Sequence, residues 1–446
     1  VNTLSGQPGN WPAYEIVDIG KLKPAKRNAR THSDPQIDAV ADSMREFSQI
    51  QTIVVDANYR IVAGHARWEA AKRLGLTRVA ILRVEHLSED QLRLYAIADN
   101  RIAELAGWAN DILAVEFNEL QVALPEINLS VSGFELPRID VLTSKLEQTS
   151  WSDLDEVDEP SDEKHPISVA GDIWDFDDKH VLGNSDSTDA EFVRRVVGDE
   201  QVAVVATDPP FNLQGHEYSG NGRHQHGNFM QGAGEMSPEQ FTAWLAAAIA
   251  AVRVLLAPGA LLYMFMDWKH VRELLGAADR NGLTLLNICI WDKGKGGMGA
   301  FYRSAHEMVF VFRHGDAKHN NRIQLGRHGR DRTNLWRYEG MNRFGRGRDR
   351  ALSMHATIKP VQMICDLLLD CTEKGDLIFD GFGGSGTSLI AAEKLGRRAR
   401  IIELDPRYCD VIIQRYTAAF GSEPIHRELG LPFSEVVGLR QNGGQA

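Results

Sequence analysis

At 446 residues the chain is long enough for two or three domains, and 43% hydrophobic with 25% charged residues is the balance of an ordinary globular protein. The four cysteines, Cys289, Cys365, Cys371 and Cys409, show no close metal-ligand spacing, and no apolar run approaches the ~20 residues of a membrane helix. With no export signal in view, the expectation is a metal-free protein of the reducing cytoplasm with buried thiols, and a net charge of −12 speaks against a nucleic-acid partner until its distribution is considered.

Residues 1–14 carry no periodic pattern. From residue 15 a compact domain begins. Residues 16–19 read as a strand and 23–28 as a turn. Ile37, Val40, Ala41 and Met44 then fall on one face of a helix over 36–47, started by Asp34-Pro35. Strands over 52–55 and 59–62 flank the turn Asp56-Ala57-Asn58, and 79–84 is a further strand. Between them Gly64-His65-Ala66-Arg67 opens a helix running to about residue 74. A glycine and an arginine at a helix start suit an anion, because free N–H groups and a guanidinium converge there. A surface ion pair of Arg67 is the ordinary alternative.

Residues 15–105 resemble the ParB/sulfiredoxin-like domain, whose loop carries Gly-x-x-Arg at the place of Gly64 and Arg67 and whose following helices match Ala98-Asp99-Asn100-Arg101. The resemblance implies an α+β domain with a nucleotide at this loop. The family's usual Glu-Arg is replaced by His65-Ala66, so the resemblance does not extend to nucleotide hydrolysis. Residues 88–120 read as helical and those to about 145 as a connector, giving a first domain over 15–146 with a helical extension. Residues 147–163 hold eight acidic and no basic side chains, the composition of a solvated linker, drawn over 147–166.

A second domain is expected over 167–440. Gly171-Asp172-Ile173-Trp174 and His180-Val181-Leu182-Gly183-Asn184-Ser185 read as a β-hairpin. The apolar run Val202-Ala203-Val204-Val205-Ala206 is a buried strand that Asp208-Pro209-Pro210-Phe211 must end, since proline has no N–H for a ladder. The carboxyl end of such a strand is where ligands bind in open α/β sheets. There a carboxylate and a rigid carbonyl can accept both hydrogens of a planar amine. That draws the nitrogen toward tetrahedral geometry and frees its lone pair, while Phe211 stacks on the base. A strand-to-turn junction with a capping Asp is the plainer reading of the tetrapeptide alone. Helices over 239–256 and 268–281 alternate with strands over 260–266, 283–291 and 308–312, a doubly wound α/β pattern.

Farther on, the strand Leu377-Ile378-Phe379-Asp380 runs into Gly381-Phe382-Gly383-Gly384-Ser385-Gly386-Thr387 and a helix over 388–395; the next strand, 399–402, ends in Glu403, placed for ribose hydroxyls. A dinucleotide-binding loop reads similarly but leaves Asp208-Pro209-Pro210-Phe211 unexplained. Asp-Pro-Pro-Phe, then Asp-x-Phe-x-Gly-Ser-Gly-Thr, then Glu-Leu-Asp-Pro-x-Tyr, in that order, resembles the β class of DNA amino-methyltransferases over about 167–420. So do Trp291-Asp292-Lys293, Gly297-Met298-Gly299, Tyr302-Arg303-Ser304-Ala305-His306-Glu307 and His355-Ala356-Thr357-Ile358-Lys359-Pro360, the last departing from the usual His-Pro-Thr-Gln-Lys-Pro at two positions. The resemblance implies a Rossmann-like sheet and S-adenosylmethionine as methyl donor. It assigns Asp208, Pro209, Pro210 and Phe211 to catalysis. It assigns Asp380, Phe382, Gly383, Ser385, Gly386, Thr387, Glu403, Asp405 and Asp186 to the cofactor, with Lys359 near its carboxylate.

Residues 313–350 hold eleven Lys or Arg against four Asp or Glu, with Trp336, Tyr338 and Phe344 among glycines. This is a candidate double-stranded DNA surface, with Arg303, Arg327, Arg330, Arg332 and Arg343 as phosphate contacts. The implied reaction is methylation of the adenine amino group, since Asp rather than Ser opens the tetrapeptide. The alternatives are the amino group of cytosine and a ParB-like, nucleotide-gated DNA-binding protein with an inactive second domain. A homodimer is compatible with either activity.

Overall fold

The structure is a computed structural model that describes residues 12–25, 27–124, 126–147, 155, 165–213, 230–294, 302–326, 331–338 and 359–442. The chain divides into two compact units, Val1–Leu146 and Glu147–Ala446.

In the first unit, strands β1 (Ala13–Asp18), β2 (Ile53–Asp56), β3 (Ile61–Ala63) and β4 (Arg78–Val84) form one sheet in the order β1-β4-β2-β3. β4 pairs antiparallel with β1 and parallel with β2. Val17, Leu22, Ile53, Val55, Ile61, Val79 and Ile81 form the core beneath it. Helix α1 (Asp34–Phe47) begins where Ser33 accepts from the Gln36 amide and Pro35 occupies the first turn. Helix α2 (His65–Arg73) follows Gly64, whose φ of 96° lies where a side chain is strained.

The long helical reading over 88–120 resolves into α3 (Glu89–Glu104) and α4 (Asn110–Ala123), with Gly107 in the break. The expected connector instead contains a helix, α5 (Leu136–Glu147). It forms because Ile139 and Leu142 bury themselves against Ala114 and Phe117 of α4, a tertiary contact that its composition did not advertise.

The second unit is built on a ten-stranded sheet. Its strands are β5 (Ile173–Phe176), β6 (His180–Asn184), β7 (Val202–Thr207), β8 (Leu256–Met266), β9 (Thr284–Asp292), β10 (His306–Arg313), β11 (Leu335–Arg337), β12 (Leu377–Asp380), β13 (Arg398–Glu403) and β14 (Ile425–His426). They lie in the order β11-β9-β10-β8-β7-β12-β13-β6-β5-β14. The hairpin β5–β6 belongs to this sheet, β6 lying parallel to β13.

Helices α6 (Ala190–Val197), α7 (Pro238–Arg253) and α8 (Val271–Arg280) cover one face. The other face carries α9 (Val361–Cys371), α10 (Thr387–Lys394), α11 (Pro406–Phe420) and α12 (Phe433–Asn442). Alternation along the central strands feeds both layers: Ile378 joins one core, Leu377 and Phe379 the other. Helices on both faces of a mostly parallel sheet make this a doubly wound α/β domain. All four cysteines are buried thiols. Among the described residues no helix is long and apolar enough to cross a membrane.

What positions a site is the place of β7. It pairs in parallel with β8 on one side and with the much later β12 on the other. The chain therefore leaves β7 in one direction and returns from the opposite one, and the carboxyl ends of β7 and β12 open a crevice between them.

Candidate active site

Both sequence motifs stand at this crevice. Thr207, the last residue of β7, donates its hydroxyl to Asp380 at 2.7 Å and accepts the Gly381 amide at 3.1 Å, so one side chain ties the two strand ends together. Asp380 also accepts from Ser388 at 2.6 Å and from the Phe382 amide at 3.1 Å. Burial pushes its carboxyl up to about 6 against these donors.

Asp208 follows directly. Its Oδ2 lies 2.5 Å from Nζ of Lys359, whose side chain is only 6% exposed. Its Oδ1 is shielded from solvent and, among the described residues, accepts no hydrogen bond. Lys359 also lies 3.1 Å from Glu307 on β10, and Glu307 in turn pairs with Lys293. Burial raises Asp208 to about 6, opposed by Lys359 and assisted by the Glu307 charge. For Glu307 burial acts in the same upward sense, but Lys359 and Lys293 outweigh it and hold it at about 2.

Downstream of the tetrapeptide, Asn212 takes a left-handed φ of 52° and fastens the returning loop. Its Oδ1 accepts from Gly234 and Met236, at 3.1 and 3.2 Å, and its Nδ2 donates to the Met236 carbonyl at 2.8 Å. Gly232 packs on Pro210, where a Cβ would sit 2.9 Å from the ring. Phe211 is partly buried between the two cores.

The glycine loop is shaped chiefly by packing. A Cβ on Gly383 would lie 2.5 Å from Cγ2 of Ile401, and one on Gly386 3.0 Å from Ile412 at a φ of 81°. These glycines let α10 close on β13 and α11. Ser385 and Thr387 are gripped by Arg415, which donates to the Ser385 carbonyl at 2.8 Å and the Thr387 hydroxyl at 3.1 Å.

Glu403, at the end of β13, accepts the Gly384 amide at 2.7 Å and the Asp405 amide at 2.8 Å, and burial raises it to about 7. Phe382 meets Trp244 at 5.3 Å between ring centroids. The Trp244 indole donates to Gln231 at 3.2 Å, and Gln231 donates to Asp186 at 2.8 Å. Phe382, after β12, is thus joined through Trp244 and Gln231 to Asp186, after β6.

Several expected site residues are also engaged within the protein. Lys359, expected near a cofactor carboxylate, contacts Asp208 and Glu307. Asp405 caps α11 through the Arg407 amide at 2.9 Å and pairs with the Arg407 guanidinium, so its carboxylate is engaged within the protein. Arg332, expected at a DNA surface, is mostly buried. Its side chain, 17% exposed, reaches Asp370 at 3.0 Å and the Tyr338 hydroxyl at 2.7 Å. Trp336 is a core residue and Tyr338 bonds Asp366 at 2.7 Å, so neither ring is presented to a base. Arg303 is exposed. Arg327, Arg330, Arg343, Phe344, residues 297–299 and 355–358, and residues 148–154 and 156–163 of the acidic stretch fall outside the described residues.

In the first unit, Arg67 donates to the Thr52 carbonyl at 3.1 Å and to Gln51 at 2.5 Å, and His65 accepts the Ala25 amide at 3.3 Å. Arg27, Arg30, Gly64, Arg67, Arg93 and Arg101 line one open cavity.

Sequence reasoning missed Glu307, Arg415, Asn212 and Trp244. Glu307 was quoted within a motif without a role, and the other three carry no local signal.

The family described as DNA methylase matches residues 202–415, and the ParB N-terminal domain family matches residues 9–101. The ParB-like nuclease domain-containing protein YnaK of Escherichia coli (strain K12) is 32% identical over 73 residues, 16% of this chain and 84% of that protein. The type II methyltransferase M2.MboI of Moraxella bovis is 24% identical over 175 residues, 38% of this chain and 63% of that protein. The solved structure of PvuII DNA methyltransferase, described as cytosine-N4-specific, matches with a TM-score of 0.42 at 17% identity, covering 61% of this chain and 93% of that one.

Proposed function

The chain belongs to the N6/N4 DNA methylases and carries an N-terminal ParB-like domain, and from that premise we propose that it methylates the exocyclic amino group of adenine in double-stranded DNA. The observation that carries the reading is the open Oδ1 of Asp208, buried at the switch point beside the glycine loop. A buried acceptor without a donor is costly, on the order of 1–3 kcal/mol, and an amine hydrogen from a flipped base repays that cost on binding. With the Pro209 carbonyl taking the second hydrogen, the amine lone pair turns out of the ring plane.

The second substrate is S-adenosylmethionine, which supplies an electrophilic methyl group. The residues across the crevice suit it: Glu403 for ribose hydroxyls, Phe382 and Trp244 for a flat heterocycle, Asp186 and Gln231 for its polar edge. Holding two reactants in line contributes up to ~7–11 kcal/mol of barrier lowering, so the chain's work is geometric and needs neither a nucleophilic cysteine nor a metal. Adenine rather than cytosine follows from the Asp that opens the tetrapeptide. The ParB-like domain is proposed to hold nucleotide phosphates between the α2 N-terminus at Gly64 and the arginines around Arg67.

The test is to express the chain in a host free of DNA methylation and map modified bases by single-molecule sequencing. N6-methyladenine at one recurring sequence is the expected result. N4-methylcytosine refutes the base assignment, and unmodified DNA refutes the activity.

A further inference from the structure

Lys359 occupies an unusual place for a lysine. Its ammonium lies 5.8 Å from the ring centre of Phe211, 5.0 Å from Phe265 and 5.6 Å from Trp291, with Asp208 at 2.5 Å and Glu307 at 3.1 Å. Three aromatic faces and two carboxylates fix the cation at one point. Glu307 is itself held by Lys293. Among the described residues only one oxygen of Asp208 is therefore committed, and the other is buried at the carboxyl end of β7 without a donor.

We propose that Lys359, held in place by Glu307, is a positioning residue that keeps Asp208 a carboxylate and turns only its Oδ1 toward the target amine. This rests on the reading of Asp208 given above and departs from a role for the lysine at the methyl donor. A protonated Asp208 would present a hydroxyl where the amine needs an acceptor, so the charge of this group gates the reaction. Burial works toward protonation, and Lys359 is the largest opposing influence. The charged groups that act on Asp208 among the described residues are Lys359 before α9, Glu307 on β10, Lys293 after β9 and Asp380 at the end of β12. Two carboxylates press the Asp208 proton on and two ammoniums pull it off. Lys359 is the only one of the four within hydrogen-bonding distance of Asp208 among the described residues.

The opposed signs make the idea testable. In single-turnover assays of the full chain, with labelled S-adenosylmethionine and unmethylated DNA, the wild-type rate rises with pH as Asp208 ionises. Lys359→Met moves that rise upward by about 1–3 pH units, the usual effect of losing an adjacent opposite charge. With Asp208 starting near 6, the rate at neutral pH falls roughly tenfold and recovers in alkali, while KM for S-adenosylmethionine stays unchanged. Lys359→Arg keeps the charge and restores the profile in part.

Glu307→Gln moves the rise the other way, downward. It deletes a like charge and leaves Lys359 to Asp208 alone. Should Lys359→Met fail to fold, Lys359→Arg and Glu307→Gln still carry the comparison. A raised KM with an unmoved profile assigns Lys359 to the donor and overturns the proposal, and so do shifts of the same sign in the Lys359 and Glu307 variants. Asp208→Asn separates the two readings. If it keeps the wild-type rate and profile, the catalytic assignment of Asp208 fails. If it is inactive, an unmoved profile in the other variants overturns this inference alone.

Discussion

Arg332 tests most directly whether this one arginine of the basic segment is a buried brace or a DNA contact. Its Nε meets Asp370 at 3.0 Å, its Nη1 meets the Tyr338 hydroxyl at 2.7 Å, and its guanidinium lies 5.1 Å from the centre of Trp336. Asp370 is 5% exposed, so Arg332→Ala strips a buried carboxylate of its guanidinium. Breaking such a pair costs ~3–5 kcal/mol, and partial exposure of the arginine places the expectation near the lower end. Urea denaturation followed by tryptophan fluorescence reads the loss, because Trp291 and Trp336 both lie in this unit's core.

The companion measurement is DNA affinity against salt. A phosphate contact contributes roughly 0.9 to the log–log slope, and its removal from a surface changes stability by no more than about 0.5 kcal/mol. Arg332→Ala is expected to lose stability and keep the slope. Exposed Arg303→Ala is expected to do the reverse. A flattened slope with unchanged urea stability for Arg332→Ala refutes the reassignment.

Asp208→Ala removes the open acceptor and is expected to abolish methyl transfer while leaving S-adenosylmethionine affinity near wild type; single-turnover and calorimetric measurements check the two halves separately. Glu403 has its carboxyl raised to about 7 by burial, so donor hydroxyls that favour the ionised form should bind more tightly as pH rises through about 7. Titration calorimetry across that range should show the trend in the wild type and lose it in Glu403→Gln; an equal trend in both disproves the ribose assignment. Gly383→Ala drives a methyl to 2.5 Å from Ile401 and is expected to cost ~1–3 kcal/mol of stability, read by thermal melting, and an unchanged melting temperature contradicts the packing account of the loop.

The legible parts of the chain were those whose information is local. Val202-Ala203-Val204-Val205-Ala206 followed by two prolines announces a buried strand and its end, and the observed strand, Val202–Thr207, stops where the prolines require. The strand before the glycine loop, Leu377–Asp380, was likewise found at its observed bounds. What composition could not show was which far residues would meet there. Lys359 is 151 positions from Asp208, and no periodicity relates them.

The charge count over 313–350 did not set Arg332 apart from its neighbours for a physical reason: it adds charges without asking what each one faces. The signal for it was present in Asp366 and Asp370, one turn apart on a helix that is otherwise apolar but for Gln362. Acidic groups on a helix that buries nearly every other position require cations, and the nearby basic segment supplies one in Arg332.

The four acids at the crevice follow from the same requirement. Asp208, Asp380 and Glu403 are each raised by burial to about 6 or 7, and Glu307 alone is held low because two lysines face it. A fold gains nothing by placing three carboxylates near their titration points, since each costs solvation when charged and, at neutral pH, a proton when not. The arrangement makes sense for ligands that bring positive charge or hydrogen-bond donors: a sulfonium donor carrying ribose hydroxyls on one side, and on the other an amine that becomes cationic as it accepts a methyl group. Each carboxylate is then stabilised as an ion when its ligand is seated. On the proposed assignment, the cost of burying these carboxylates is offset by affinity at Glu403 and by stabilisation of developing charge at Asp208.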